Sequence, residues 1–248
     1  MLFGIHPVLE ALESGRRTIE RILVSREGTA AGLGRLLRRA REDGVPISHL
    51  SRDALRGKAG RDALHQGVAA IVSALPYADA DAMCLAAAED PDAVLVALDG
   101  IEDPRNLGAV VRTAAAAGAS GVIVSSDRSV GLTATVAKTS AGALERIGVA
   151  REPRLGRRLR ALGEGGFRVL ALDAGGESAW DRLDLRGRNV IVAGSEGRGL
   201  RKDLADLADH RVRIPLQSGV ESLNVSVAVA LLLYEVVRQR RRGARAET

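Results

Sequence analysis

AVLVALDGIEDPRNLGAVVRTAAAAGASGVIVSS, residues 93–126, reads as strand, loop, helix, strand. AVLVALD (93–99) is an unbroken apolar run of strand length, GVIVSS (121–126) is a second, and Asn106–Ala117 between them predicts a helix. Fully apolar strands separated by helices belong to a mostly parallel sheet covered on both faces. The alternation continues through a Thr/Ala-rich helix at 133–141, a helix at 155–163, strands at 168–174, 189–195 and 211–215, and a long helix at 223–242. The fold class is α/β, with residues 93–248 as the larger domain.

Upstream, residues 1–75 predict a small α/β domain. Its elements are a helix around Pro7–Leu12, strands at Ile19–Ser25, Pro46–Leu50 and Gly67–Ser73, and a basic helix at Ala31–Glu42, with one more short helix. Residues 76–92 read as an acidic linker or weak helix rather than core. No internal repeat is present.

The chain has 248 residues, 46% of them hydrophobic and 27% charged, as expected of a soluble globular protein. One cysteine, Cys84, excludes an internal disulfide and a cysteine-based zinc cluster, and no metal site is expected. Near Met1, Glu10 and Glu13 break the only candidate secretory segment, and the apolar run Val227–Tyr234 is too short for a membrane span. A cytoplasmic protein is expected. The net charge of +5 is unevenly spread: +4 in residues 1–75 (12 basic, 8 acidic), −5 in 76–92 (0 and 5) and +6 in 93–248 (24 and 18). Two basic regions suit a polyanion partner. Arginine-rich composition alone is the plainer explanation, since only Lys58, Lys138 and Lys202 are lysines.

Ligands of open α/β sheets bind beyond the carboxyl ends of strands, and three such ends carry unusual residues. After strand 93–99, Asn106 falls where a helix N-cap belongs, and Arg112 interrupts GAVVRTAAAAG. Capping and a solvated face are the plain readings. For Arg112 the alternative is phosphate, which a guanidinium fork grips with two donors. After strand 189–195, GSEGRGL (194–200) is neither a dinucleotide fingerprint nor a Walker loop. Glu196 would repel a pyrophosphate, so a cofactor without phosphates fits better, such as the sulfonium S-adenosylmethionine; an ordinary glycine turn is the alternative. After strand 211–215, RIPLQSGVESLNVSVAVALLLYE (213–235) plants Ser222, Asn224 and Ser226 at the start of an apolar helix. One cap does not need three such residues, and a helix start is a good place to hold a ligand.

DPRNLGAVVRTAAAAG (103–118), GSEGRGL (194–200) and the 213–235 segment, in this order and spacing, resemble the SpoU (TrmH-like) family of RNA ribose 2′-O-methyltransferases, within the SPOUT superfamily. FGIHPVLEAL (3–12) and HQGVAA (65–70) are similar to the family's small ribosomal-protein-L30e-like substrate domain, so the resemblance covers nearly the whole chain. It implies a carboxyl-terminal trefoil knot that forms the pocket, a homodimer packed through it, and S-adenosyl-L-methionine as cofactor. Cofactor contacts are implied at Gly194, Ile214 and Leu223, with Leu216 and Gly197 beside them. Catalytic or RNA-positioning roles are implied for Asn106, Arg112, Glu196, Ser222 and Asn224. Arg35, Arg38 and Arg39 of the basic helix, and Lys138, are candidate RNA contacts or solvated helix side chains.

The implied reaction is 2′-O-methylation of a guanosine ribose in 23S ribosomal RNA. A transfer-RNA guanosine, another ribosomal nucleotide and a non-catalytic rRNA-binding assembly factor are the alternatives. A nucleotide-dependent oxidoreductase lacks its glycine fingerprint. No histidine lies in the three motifs. Arginine, with a pKa above about 12, is a poor free base. Arg112 is therefore expected to hold a neighbouring phosphate and stabilise the developing alkoxide. Asn106, Ser222 and Asn224 would orient the ribose and methionine ends, with Glu196 fixing the network.

Overall fold

The computed structural model describes residues 1–27, 31–59, 66–217 and 219–246; His65 and Ser218 of the quoted motifs lie outside them. The chain opens with β1 (Leu2–Phe3), α1 (Ile5–Ser14), β2 (Ile19–Ser25), α2 (Leu33–Glu42), β3 (Ile47–Leu50), α3 (Arg52–Ala59) and β4 (Val68–Val72). Then come α4 (Ala80–Glu89), β5 (Val94–Leu98), α5 (Pro104–Ala116), β6 (Gly121–Ser125), α6 (Ala134–Thr139) and a 3-10 turn (Ala143–Glu145). The remainder is β7 (Val149–Glu152), α7 (Leu155–Glu164), β8 (Arg168–Leu172), β9 (Ser178–Ala179), β10 (Asn189–Ala193), α8 (Lys202–Ala205), β11 (His210–Arg213) and α9 (Val225–Ala246).

Two compact units result. One combines Met1–Pro76 with Leu132–Arg146; the other combines Tyr77–Gly131 with residues from Ile147 onward. The smaller unit carries a four-stranded mixed sheet in the order β1-β4-β2-β3. Leu23, Leu55 and Ala69 are buried on it, and Leu36 and Ala40 bury the apolar edge of α2.

In the larger unit, seven strands pair in the order β7-β6-β5-β10-β8-β11-β9, every pair parallel. β5, β6 and β10 are buried at every position, which is why their sequences lack polar alternation. Leu95 and Val192 pack with Leu155 and Leu159 of α7 and Leu204 of α8. Their alternating neighbours Val94 and Ile191 are equally buried. α5 and α9 pack on each other and on β6 and β10.

Three expectations are corrected here. Residues 76–92 are not a connector throughout: Asp79 caps α4 by accepting from the Ala82 N–H at 2.8 Å. Cys84 and Ala87 of that helix join the larger core. α4 also lies so close to β6 that a Cβ on Gly121 would overlap Met83. The helix predicted at 133–141 belongs to the smaller unit, where Val136 and Leu144 are buried. Glu145 pairs there with Arg17 at 2.5 Å, and Arg146 with Glu10 at 2.5 Å. Finally, Asp103 rather than Asn106 caps α5. Its carboxylate accepts from the Arg105 N–H at 2.7 Å, with Pro104 opening the helix, an arrangement proline favours because it has no N–H to leave unpaired.

Candidate active site

Parallel register brings several strand ends together. Ala193 of β10 aligns with Leu98 of β5, Val192 with Ala171 of β8, and Val212 of β11 with Leu172. The segments that follow β8, β10 and β11 enclose a cavity of about 600 Å³. Ile214, Leu216 and Leu223 give it apolar walls, Gly194 and Gly197 supply backbone, and Glu196, Ser222 and Asn224 line it with polar groups. Gly194 must be glycine, because a Cβ there would overlap the Gly199 carbonyl and the Leu200 nitrogen. That close return is closed by a Gly199 N–H to Ser195 O bond of 2.9 Å. Gly197 and Gly199 adopt φ of +84° and +68°, which side-chain-bearing residues rarely take.

Asn224 ties the three motifs into one network. Its Nδ2 donates to Asn106 Oδ1 at 3.0 Å and to Glu196 Oε1 at 2.6 Å. Its Oδ1 accepts from the Ser226 N–H at 2.9 Å and from Ser226 Oγ at 2.6 Å. Asn224 is thus both the N-cap of α9 and the bridge to α5 and the glycine loop. Because Asp103 does the capping of α5, Asn106, three residues on and nearly a full turn deeper, has its side chain free for this contact and sits 8% exposed. The side-chain Nδ2 of Asn106 has no partner among the described residues. It remains a donor for a ligand.

Asp173, at the end of β8, also lines the cavity. Arg211 donates to it at 3.0 and 2.5 Å and Gly175 N–H at 2.9 Å. The Arg211 hydrogen bonds hold its carboxyl below the usual range. Sequence reasoning missed Asp173, although strand 168–174 ends there and the strand-end rule applies to it equally. Glu221 and Arg198 were missed too and also line the cavity. No carboxylate or histidine group suited to a metal ion occurs among the described residues.

Other expected residues lie elsewhere. Arg112 is exposed on α5, outside the cavity wall, and has no polar partner among the described residues. Arg35, Arg38, Arg39 and Lys138 all belong to the smaller unit. Arg35 pairs with Glu13 at 2.6 Å and Arg39 with Asp43 at 2.7 Å. Arg38 and Lys138 are exposed and have no such partners among the described residues.

Comparison with known proteins places this geometry. Residues 93–234 match the profile of the SpoU rRNA Methylase family. Residues 1–78 match a profile described as RNA 2′-O ribose methyltransferase substrate binding. An uncharacterized tRNA/rRNA methyltransferase of Mycobacterium ulcerans (strain Agy99) is 42% identical over 240 residues, 97% of this chain and 77% of the relative. Among solved structures, the SpoU methyltransferase AviRb from Streptomyces viridochromogenes, in complex with AdoMet, superposes with a TM-score of 0.81 at 25% identity, covering 96% of this chain and 89% of that one. A structure described as an RNA 2′-O ribose methyltransferase gives a TM-score of 0.78 at 28% identity, over 96% and 88% of the two chains.

Proposed function

This chain belongs to the SpoU family of RNA methylases, and on that premise we propose that it methylates the ribose 2′-hydroxyl of a guanosine in 23S ribosomal RNA. It is an RNA 2′-O-ribose methyltransferase. The observation that carries the reading is the Asn224 bridge, which joins α5, the glycine loop and α9 at the wall of one cavity.

S-adenosyl-L-methionine is the donor this cavity fits. At about 600 Å³ it is within the usual size of a small-molecule site. Apolar side chains and loop backbone line it, and the carboxylates of Asp173, Glu196 and Glu221 suit a cation. When bound, the donor presents a methyl group on a cationic sulfonium. Gly194, Gly197, Ile214, Leu216 and Leu223 would hold it. Asn106 and Asn224 would orient the ribose hydroxyl, Glu196 would fix the network, and Ser222 would contact the methionine end. Alignment of the reacting groups supplies much of the acceleration. Arg112, outside the cavity wall, would grip an RNA phosphate and stabilise the developing alkoxide. Arg112→Ala should lower kcat/KM by roughly 10²- to 10³-fold with donor affinity unchanged, and a near-normal rate would end that role.

The family profile over residues 1–78 supports an RNA-binding role for the amino-terminal part, with Arg35, Arg38 and Arg39 toward RNA; Lys138, on the 132–146 segment of the same unit, is proposed to join them. Relatives named tRNA/rRNA methyltransferases keep a transfer-RNA guanosine as the second reading. A trefoil knot belongs to the same proposal, since Ile214, Leu216, Ser222 and Leu223 wall one cavity with the 194–200 loop. So do a cytoplasmic location and a homodimer, the latter supported by Val227 and Tyr234, 46% and 51% exposed on α9. The test is transfer from labelled S-adenosylmethionine to separated rRNA and tRNA pools, followed by mapping of the 2′-O-methyl site. Label on 23S rRNA guanosine is expected; label on tRNA alone would move the substrate, and none on either would sink the proposal.

A further inference from the structure

Four strand ends lie side by side along the carboxyl edge of the larger sheet. Glu152 of β7 aligns with Ser125 of β6, Val124 with Leu98 of β5, and Leu98 with Ala193 of β10. That row spans three strand spacings, roughly 14 Å. Two of the carboxylates along it are already engaged by inner arginines, while Glu102 and Asp127 stand at its outer side. Glu152 pairs with Arg158 at 2.9 Å and Asp99 with Arg201 at 2.9 Å.

The outer arginines are left facing solvent. Arg198 in the glycine loop and Arg154 after β7 are exposed, and their guanidinium groups have no partner among the described residues. Among the described residues Arg128, after β6, meets only its neighbour Asp127 at 3.3 Å, both well exposed. An exposed pair of that kind contributes little, so a phosphate can take its place. Arg151 is laid along the edge, donating to Ser126 O at 3.3 Å and resting 5.8 Å over the Tyr77 ring. Between Arg128 and Arg198 is a second cleft of about 60 Å³, lined also by Glu102. It has room for a few waters, not for a nucleoside. Arg198 lines both this cleft and the main cavity.

We infer that this edge is a track for the RNA backbone flanking the reacting nucleotide, with phosphates seated on Arg198, Arg128 and Arg154. The inference rests on the methyltransferase reading and deepens it. Single-stranded RNA runs from the cavity mouth outward across the ends of β5 and β6 to β7, and is held by charge without base readout.

The test is the salt dependence of binding of a fluorescein-labelled single-stranded RNA oligonucleotide, followed by anisotropy. Each neutralised phosphate adds about 0.7 to the log–log salt slope. Arg128→Gln with Arg154→Gln should therefore reduce the slope by about 1.4 and weaken binding at low salt, with S-adenosylmethionine affinity unchanged. A charge-matched control is Arg186→Gln with Arg188→Gln, which flank Gly187 at the opposite edge, where the Gly187 N–H donates to Asp92. It should leave the slope intact. An unchanged slope in the first variant, or an equal fall in the control, overturns the track. Methyl transfer by the unaltered protein is run alongside. Its absence counts against the parent reading, whereas an unchanged slope in a protein that does methylate defeats the track alone.

Discussion

Asn224 uses one amide for two purposes, and a single substitution separates them. Asn224→Ala removes the cap of α9, costing about 1 kcal/mol, and releases Asn106 and Glu196. Methyl transfer should fall about 10²-fold, the scale of a small misplacement of reacting groups, while the melting temperature drops only about 2–4 °C. Asn224→Asp keeps the capping oxygen but sets a second carboxylate against Glu196, now 2.6 Å away. Its stability should stay close to that of the parent and its initial rate should collapse; an active Asn224→Asp enzyme would show that the bridge is dispensable. Gly194→Ala forces the glycine loop open, so calorimetric titration with S-adenosylmethionine should show binding lost or weakened more than tenfold. Much of this chemistry was readable from residue type and position, because glycines, Asn106 and Asn224 stand where strands give way to helices. What was not readable was the division of labour. Reading Asn106 as the cap overlooked the Asp103–Pro104 start, and reading the polar residues at 222–226 as either cap or site missed that Asn224 is both.

The α6 and 3-10 segment is fastened to the smaller unit by a buried ion pair, Arg17 and Glu145, whose side chains are 6% and 2% exposed. Removing either partner alone leaves a buried charge, so Arg17→Ala or Glu145→Ala should each cost about 3–5 kcal/mol in chemical denaturation. Arg17→Met with Glu145→Leu should recover most of that loss. Burial pushes the Glu145 carboxyl above its ordinary 4.5, even against the lowering pull of Arg17. A raised folded value means its contribution to stability is complete below its unfolded value and is lost as pH rises through the folded one. Asp173 runs the other way: lowered from 3.8 by Arg211, it contributes above its unfolded value and loses that contribution as pH falls through the folded one. Melting curves across the acid range should therefore flatten at the low end in Asp173→Asn and at the upper end in the Arg17→Met, Glu145→Leu protein. Periodicity found the long elements because their apolar faces are continuous. It missed β7 and β9, four and two residues long. It also undervalued α4, whose buried face is made of Cys84 and Ala87 and is too small to stand out.

The chain passes between its two units three times, after residues 76, 131 and 146. Sequence reading supposed one boundary, since a segment of fifteen residues that packs with a distant part of the chain carries no compositional mark. For the same reason β10 could not be foreseen between β5 and β8, because strand order is set by long-range pairing. A fragment beginning at Tyr77 should behave worse than a severed domain ordinarily would. It would carry Val136 and Leu144 without the surface that buries them, and Glu145 without Arg17. Increased binding of a hydrophobic dye and aggregation at concentrations the full chain tolerates are expected; a monodisperse, dye-silent fragment would refute this. The returning segment also sets a clock on biosynthesis. Residues 1–76 leave the ribosome first, yet the partner of Arg17 is made about 70 residues later, roughly 4–14 s at ordinary elongation rates. During that interval the nascent amino-terminal unit lacks part of its own interior, and Arg17 is without its buried ionic partner until Glu145 arrives.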